Sequence, residues 1–157
     1  MRKAIVVFDT RFGNTKKVAK TLALELKGQG LEVECVKVEE VEVKGLTEYD
    51  LLAVGGPTHR LGISEPMKGF LGKPESADLR GKRAFAFDTR VKTRFAGSAG
   101  KRIEKRLKKL GMSIIRSHSS AIVKGREGPL EEGVEETFKH IGEEIAKSVQ
   151  QGSIDYR

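Results

Sequence analysis

The chain has 157 residues, 38% of them hydrophobic, which suits one domain around a single core and leaves no material for a second. It contains no run of 18 apolar residues, and Met1-Arg2-Lys3 leads straight into a short strand-like segment. Neither a membrane span nor a signal peptide is expected, and the lone Cys35 excludes an intrachain disulfide.

The net charge of +8 is unevenly spread. Residues 80–116 hold 13 Lys/Arg against 2 Asp/Glu, whereas residues 1–79 hold 12 of each and residues 117–157 hold 5 and 8. A basic surface must therefore arise at one place on the fold. The lack of a signal-like segment leads to the expectation of a cytoplasmic protein, and 33% charged residues with one Asn, three Gln and no Trp suggest a thermophile.

Ala4-Ile5-Val6-Val7-Phe8 is a short β-branched run followed by turn residues, so a strand is expected there, then a loop, then a helix with Val18, Ala19, Leu22, Ala23 and Leu26 at helical spacing. Gly28 and Gly30 end that helix. A second strand spans Leu31 to Val38, with Cys35 as a core thiol. Leu51-Leu52-Ala53-Val54 is continuously apolar, as a strand covered on both faces requires, and Gly55-Gly56-Pro57 closes it. A short helix near Met67–Leu71, a fourth strand at residues 83–87 and a helix carrying Ile103, Leu107 and Leu110 follow. A fifth strand falls between Met112 and Val123, and Val134, Phe138, Ile141, Ile145 and Val149 form the stripe of a last helix. Residues 1–150 read as one domain and 151–157 as a tail. Alternating strands and helices predict an α/β three-layer sandwich, a five-stranded parallel sheet with helices on both faces. Ligands of such sheets bind beyond the carboxyl ends of the strands, where the loops 9–15, 55–66 and 88–97 emerge.

The first of these loops, Thr10-Arg11-Phe12-Gly13-Asn14-Thr15, opens a helix whose first amides lack intrahelical partners. With hydroxyls, a glycine and the only asparagine of the chain it suits a phosphate group; an ordinary helix cap at Asn14 or Thr15 fits the same residues. No Gly-x-x-x-x-Gly-Lys-Ser/Thr run and no Gly-x-Gly-x-x-Gly after the first strand occur, which disfavours nucleotide hydrolysis and a tightly held dinucleotide. His59, His118 and His140 are scattered, so no metal site is expected. No nucleophile elbow surrounds Ser119 and Ser120, and the third strand ends in Val54-Gly55-Gly56 where a phosphorylated receiver domain needs an aspartate.

Val6-Val7-Phe8 followed by Thr10, Gly13, Thr15, Ala19 and Leu22 resembles the FMN-phosphate signature of the flavodoxins, and the resemblance extends over almost the whole chain. It implies a short-chain member with strand order 2-1-3-4-5 and noncovalent FMN. The phosphate would sit in Thr10, Arg11, Phe12, Gly13, Asn14 and Thr15, with the ring edge-on between Pro57-Thr58-His59-Arg60-Leu61-Gly62 and a third loop contributing Asp88, Thr89, Arg90 and Phe95. The segment 127–133 is similar to that of multidomain and archaeal members. His59, Arg11 and Phe12 depart from the pattern, and Phe95 has two readings. His59 stands where many members carry Trp, as a stacking ring or a solvated loop residue; Phe95 is the one aromatic of the third loop, as a ring cover or a core anchor; Arg11 and Phe12 replace small hydroxyl residues.

The resemblance implies an electron carrier in which no side chain does covalent or acid–base work. A quinone or small-acceptor reductase and a flavin-free interaction module on the same fold stand as alternatives. Arg90, Lys92 and Arg94, with the cations of the following helix, reverse the acidic surroundings usual in flavodoxins. They would make the flavin potential less negative, dock a redox partner with an acidic surface, or form only a solvated helix face; no pattern for nucleic acid accompanies them.

Overall fold

The computed structural model describes residues 1–59, 62–74, 77–93 and 97–151. Elements follow in the order β1 (Lys3–Phe8), α1 (Asn14–Gly28), β2 (Glu32–Lys37), β3 (Leu51–Pro57), α2 (Glu65–Gly72), β4 (Arg83–Val91), α3 (Ala99–Lys109), β5 (Ser113–Ile114), β6 (Ser119–Val123) and α4 (Val134–Gln151). The strands pair in parallel in the order β2-β1-β3-β4-β5, with β6 also on β4.

Alternation along β1 shows why the sheet is covered twice. Ala4, Val6 and Phe8 join α1 and α4 in one cluster, while Ile5 and Val7 join α2 and α3 in the other. The Phe138, Ile141, Ile145 and Val149 stripe of α4 is buried, and the ring of Phe138 stands edge-on to Phe87 at 6.0 Å. Among the described residues no helix is long and apolar enough to cross a membrane.

Two features were not legible in the sequence. The β2–β3 connection folds into 3₁₀ turns at Val38–Glu40 and Val43–Glu48, whose Val38 and Leu46 are buried in the α2 side of the core. The fifth sheet position is split: β5 pairs with Arg83 and Ala84 at the start of β4, and β6 with Phe87–Val91 at its end. Between them Arg116 pairs with Glu144 and donates to Ser119 Oγ (2.7 Å), so the strand leaves the sheet and re-enters it. That polar interruption erases the apolar run by which a strand is recognised.

Cys35 lies on the edge strand β2, half-buried against the core as the alternation requires. Burial raises its thiol pKa, an effect that the nearby Lys20 opposes.

The centre of the sheet is set by a glycine. Gly55 lies opposite both Phe8 and Phe87, and a Cβ there would fall 2.1–2.4 Å from Phe87 ring atoms. Gly55→Ala should therefore cost about 2–3 kcal/mol through overpacking, read as a lower urea midpoint at unchanged m-value. An unchanged midpoint would show that Phe87 swings aside freely.

Candidate functional site

The helices that start at the carboxyl edge of the sheet begin differently. At α2, Ser64 Oγ accepts from Met67 N (3.2 Å) and donates to the carboxylate of Asp9. At α3, three successive amides find side chains: Ala99 N donates to Thr58 Oγ1 (3.0 Å), Gly100 N to Asp88 Oδ2 (2.8 Å) and Lys101 N to Ser98 Oγ (3.1 Å). Both first turns are satisfied from within the chain. The N-cap of α1 is Gly13, left-handed at φ 93°, with no side chain to accept from the first-turn amides. Those amides and the positive end of the helix dipole stay available to an anion.

The loop before α1 is shaped around that opening. Thr10 Oγ1 accepts from Gly13 N (3.0 Å), bending the chain into the turn. Thr15 is 1% exposed, and its hydroxyl pairs with that of Thr89 at 2.8 Å, tying the α1 start to the end of β4. Asn14 Nδ2 donates to Glu127 O (3.1 Å). Asn14 is thus the first residue of α1 and not its cap, and its amide group ties the β6–α4 loop to the helix start.

A cavity of about 600 Å³ opens here, a size suited to a small cofactor. Thr10, Arg11, Phe12, Asn14 and Thr15 line it from the first loop, Pro57, Thr58 and His59 from the second, and Thr89 and Arg90 from the third. The hydroxyl of Thr58 is already engaged by Ala99 N, and Arg90 Nε donates to Ser120 Oγ (3.1 Å), which fixes the guanidinium at the rim. Arg11 lies 5.4 Å from the ring of Phe12, itself 42% exposed.

Three further sequence-predicted residues stay outside the lining. Gly13 forms the turn. Gly62 exchanges two backbone bonds of 2.8 Å with His59 and rests on Arg102, whose Cδ and Nε lie 2.4 Å from where a Cβ would be. Asp88 is fully buried: Oδ2 accepts from Ser98 Oγ (2.6 Å) as well as Gly100 N, so the carboxylate anchors α3 and does not reach the cavity. Arg60, Leu61 and Phe95 lie outside the described residues.

The sequence reading missed Val91, Val123 and Arg126, which complete the lining. Val123 and Arg126 come from a fourth carboxyl-end loop, after β6, which stayed hidden because the fifth strand had no legible end. Among the described residues no group of side chains could hold a metal ion.

The residues fit a phosphate-bearing flavin on the structure's own terms. The lining combines an uncapped helix start and three guanidiniums, from Arg11, Arg90 and Arg126, with the apolar side chains of Pro57, Val91 and Val123. A dianion suits the first end and a flat heteroaromatic the second.

The sequence model of the flavodoxins matches residues 6–141. A flavodoxin of Aquifex aeolicus is 35% identical over 101 residues, 64% of this chain and 52% of that protein. A flavodoxin of Clostridium saccharobutylicum is 26% identical over 95% of this chain and 98% of its own length. Among solved structures, a flavodoxin from the domain Archaea superposes with a TM-score of 0.80 at 22% identity, covering 94% of this chain and 99% of that one.

Proposed function

The chain belongs to the flavodoxin family as an FMN-binding electron-transfer protein, and from that premise we propose that residues 10–15 hold the FMN phosphate while the segments around Thr58 and Thr89 wall the ring. The observation that carries this placement is the contrast between helix starts: α2 and α3 are capped by side chains, and α1 opens on a glycine. Bound FMN supplies a ring that takes up and returns electrons. The chain's residues orient it, shield it and set its electrostatic surroundings.

Those surroundings are cationic. Arg11, Arg90 and Arg126 line the cavity, and a positive potential favours the added electrons. Along the exposed face of α3, Lys101, Arg102, Lys105, Arg106 and Lys109 border a second groove of about 590 Å³. The helix's one carboxylate, Glu104, points elsewhere, 3.8 Å from Lys108 and 3.6 Å from His118. Arg102 also touches Gly62, the backbone partner of His59, so this face adjoins the cavity. A cationic surface there suits a redox partner with an acidic docking surface, met in the cytoplasm; nucleic acid has no role in this reading.

Three outcomes are expected. The protein stripped of cofactor should quench the fluorescence of added FMN one-to-one, and Thr15→Val combined with Asn14→Ala should abolish retention of FMN while far-UV circular dichroism is unchanged; an unquenched titration would remove the placement. Arg90→Glu and Lys92→Glu should each make the flavin midpoint potential more negative, on the order of tens of millivolts after solvent screening, and a redox titration without displacement would contradict the electrostatic role. Lys101→Glu with Lys105→Glu should slow reduction of an acidic acceptor protein at low salt, a difference that shrinks as ionic strength rises; equal rates at low salt would rule out docking on α3.

A further inference from the structure

The β6–α4 loop is built more rigidly than a connection needs to be. Lys124 N donates to Pro129 O (2.8 Å), Gly128 N to Gly125 O (3.0 Å) and Glu131 N to Ile122 O (2.8 Å), and Val123 bridges Leu130. This small hairpin projects past the end of the sheet, and its tip is tied to α1 by the Asn14 Nδ2 bond to Glu127 O.

The tie depends on two residue choices. Gly128 has φ 107°, and a Cβ there would fall 2.7 Å from Asn14 Oδ1, so the tip can approach the asparagine only as glycine. On the other side, a short amide at position 14 reaches a backbone carbonyl 113 residues away in sequence. The consequence is the position of Arg126. It precedes the tied Glu127, is exposed, and lines the cavity together with Thr10, Arg11 and Asn14.

We propose that Arg126 is the residue that makes this cavity selective for the phosphate-bearing form of the flavin, and that Asn14 is its positioning residue, holding the hairpin over the uncapped start of α1. The guanidinium supplies a charged fork to a phosphate group that the open amides receive from the opposite side. Arg11 has only the exposed ring of Phe12 beside it and Arg90 is engaged by Ser120 Oγ, whereas the backbone that carries Arg126 is tied to the start of α1 at Glu127. The proposal rests on the FMN reading above.

FMN and riboflavin share the ring and differ in the phosphate, so paired titrations separate the two ideas. Dissociation constants for both ligands would be measured by fluorescence quenching for the cofactor-stripped wild type, Arg126→Gln, Arg126→Lys, Asn14→Ala and the Arg126→Gln/Asn14→Ala double variant. Arg126→Gln should weaken FMN by about tenfold or more and leave riboflavin within about twofold; Arg126→Lys should fall between. Because Asn14 acts partly through Arg126, Asn14→Ala should cost less in the Arg126→Gln background than alone. Equal loss for both ligands, or no loss, overturns the role of Arg126. Additive losses overturn the positioning role of Asn14. A wild type that binds neither ligand removes the FMN reading itself, an outcome distinct from any change confined to the variants.

Discussion

A helix cannot satisfy its own first amides, and α1, α2 and α3 meet that obligation in different ways. Of the starts of α1, α2 and α3, two are closed by side chains, by Ser64 with Asp9 and by Ser98 with Asp88 and Thr58. The third of these, at Gly13, has no side-chain cap. Everything around that opening works to hold it open: Thr10 bends the loop, the Thr15–Thr89 hydroxyl pair fixes the helix to β4, and Asn14 ties down the neighbouring hairpin. Binding energy is then not spent on ordering the site, which is the general advantage of preorganisation.

The same satisfied contacts explain why Asp88 is structural. Its Oδ2 accepts from a hydroxyl and a helix-start amide at the end of β4, while Oδ1 is buried without a hydrogen-bond partner, so only half of the carboxylate is satisfied. By holding α3 against β4 it also places the basic face of that helix beside the cavity. Only part of the segment with 13 cations and 2 acids serves that rim: Lys101, Arg102, Lys105, Arg106 and Lys109 border the groove on α3, whereas Lys82 donates to Tyr49 O, Arg83 to Val149 O, and Arg116 pairs with Glu144.

Much of the site was legible because its first loop is local. Thr10, Gly13, Asn14 and Thr15 act within one turn of each other, and the chemistry of hydroxyl, glycine and helix start can be read from their order. Thr58, His59, Thr89 and Arg90 were placed by resemblance and do line the cavity. Arg126 was not legible, since its role depends on a strand that leaves the sheet at Ile115 to His118 and returns, and a polar break carries no periodic signal. The function of the lone asparagine was likewise hidden: its partner is a backbone carbonyl, which has no identity in a sequence.

What the residues determined by themselves was the alternation of strands and helices, the two-sided burial of the sheet, the edge at which a ligand enters and the sign of the charge beside it. Each follows from periodicity or composition, which are properties of neighbours along the chain. What only the folded chain decided was which polar groups are used up and which remain. Asp88 Oδ2 is taken up by α3, Asn14 by the β6–α4 hairpin and the Thr15 hydroxyl by Thr89, because satisfying a buried or closely packed polar group depends on partners 12 to 113 residues distant, brought to 2.8–3.1 Å by packing.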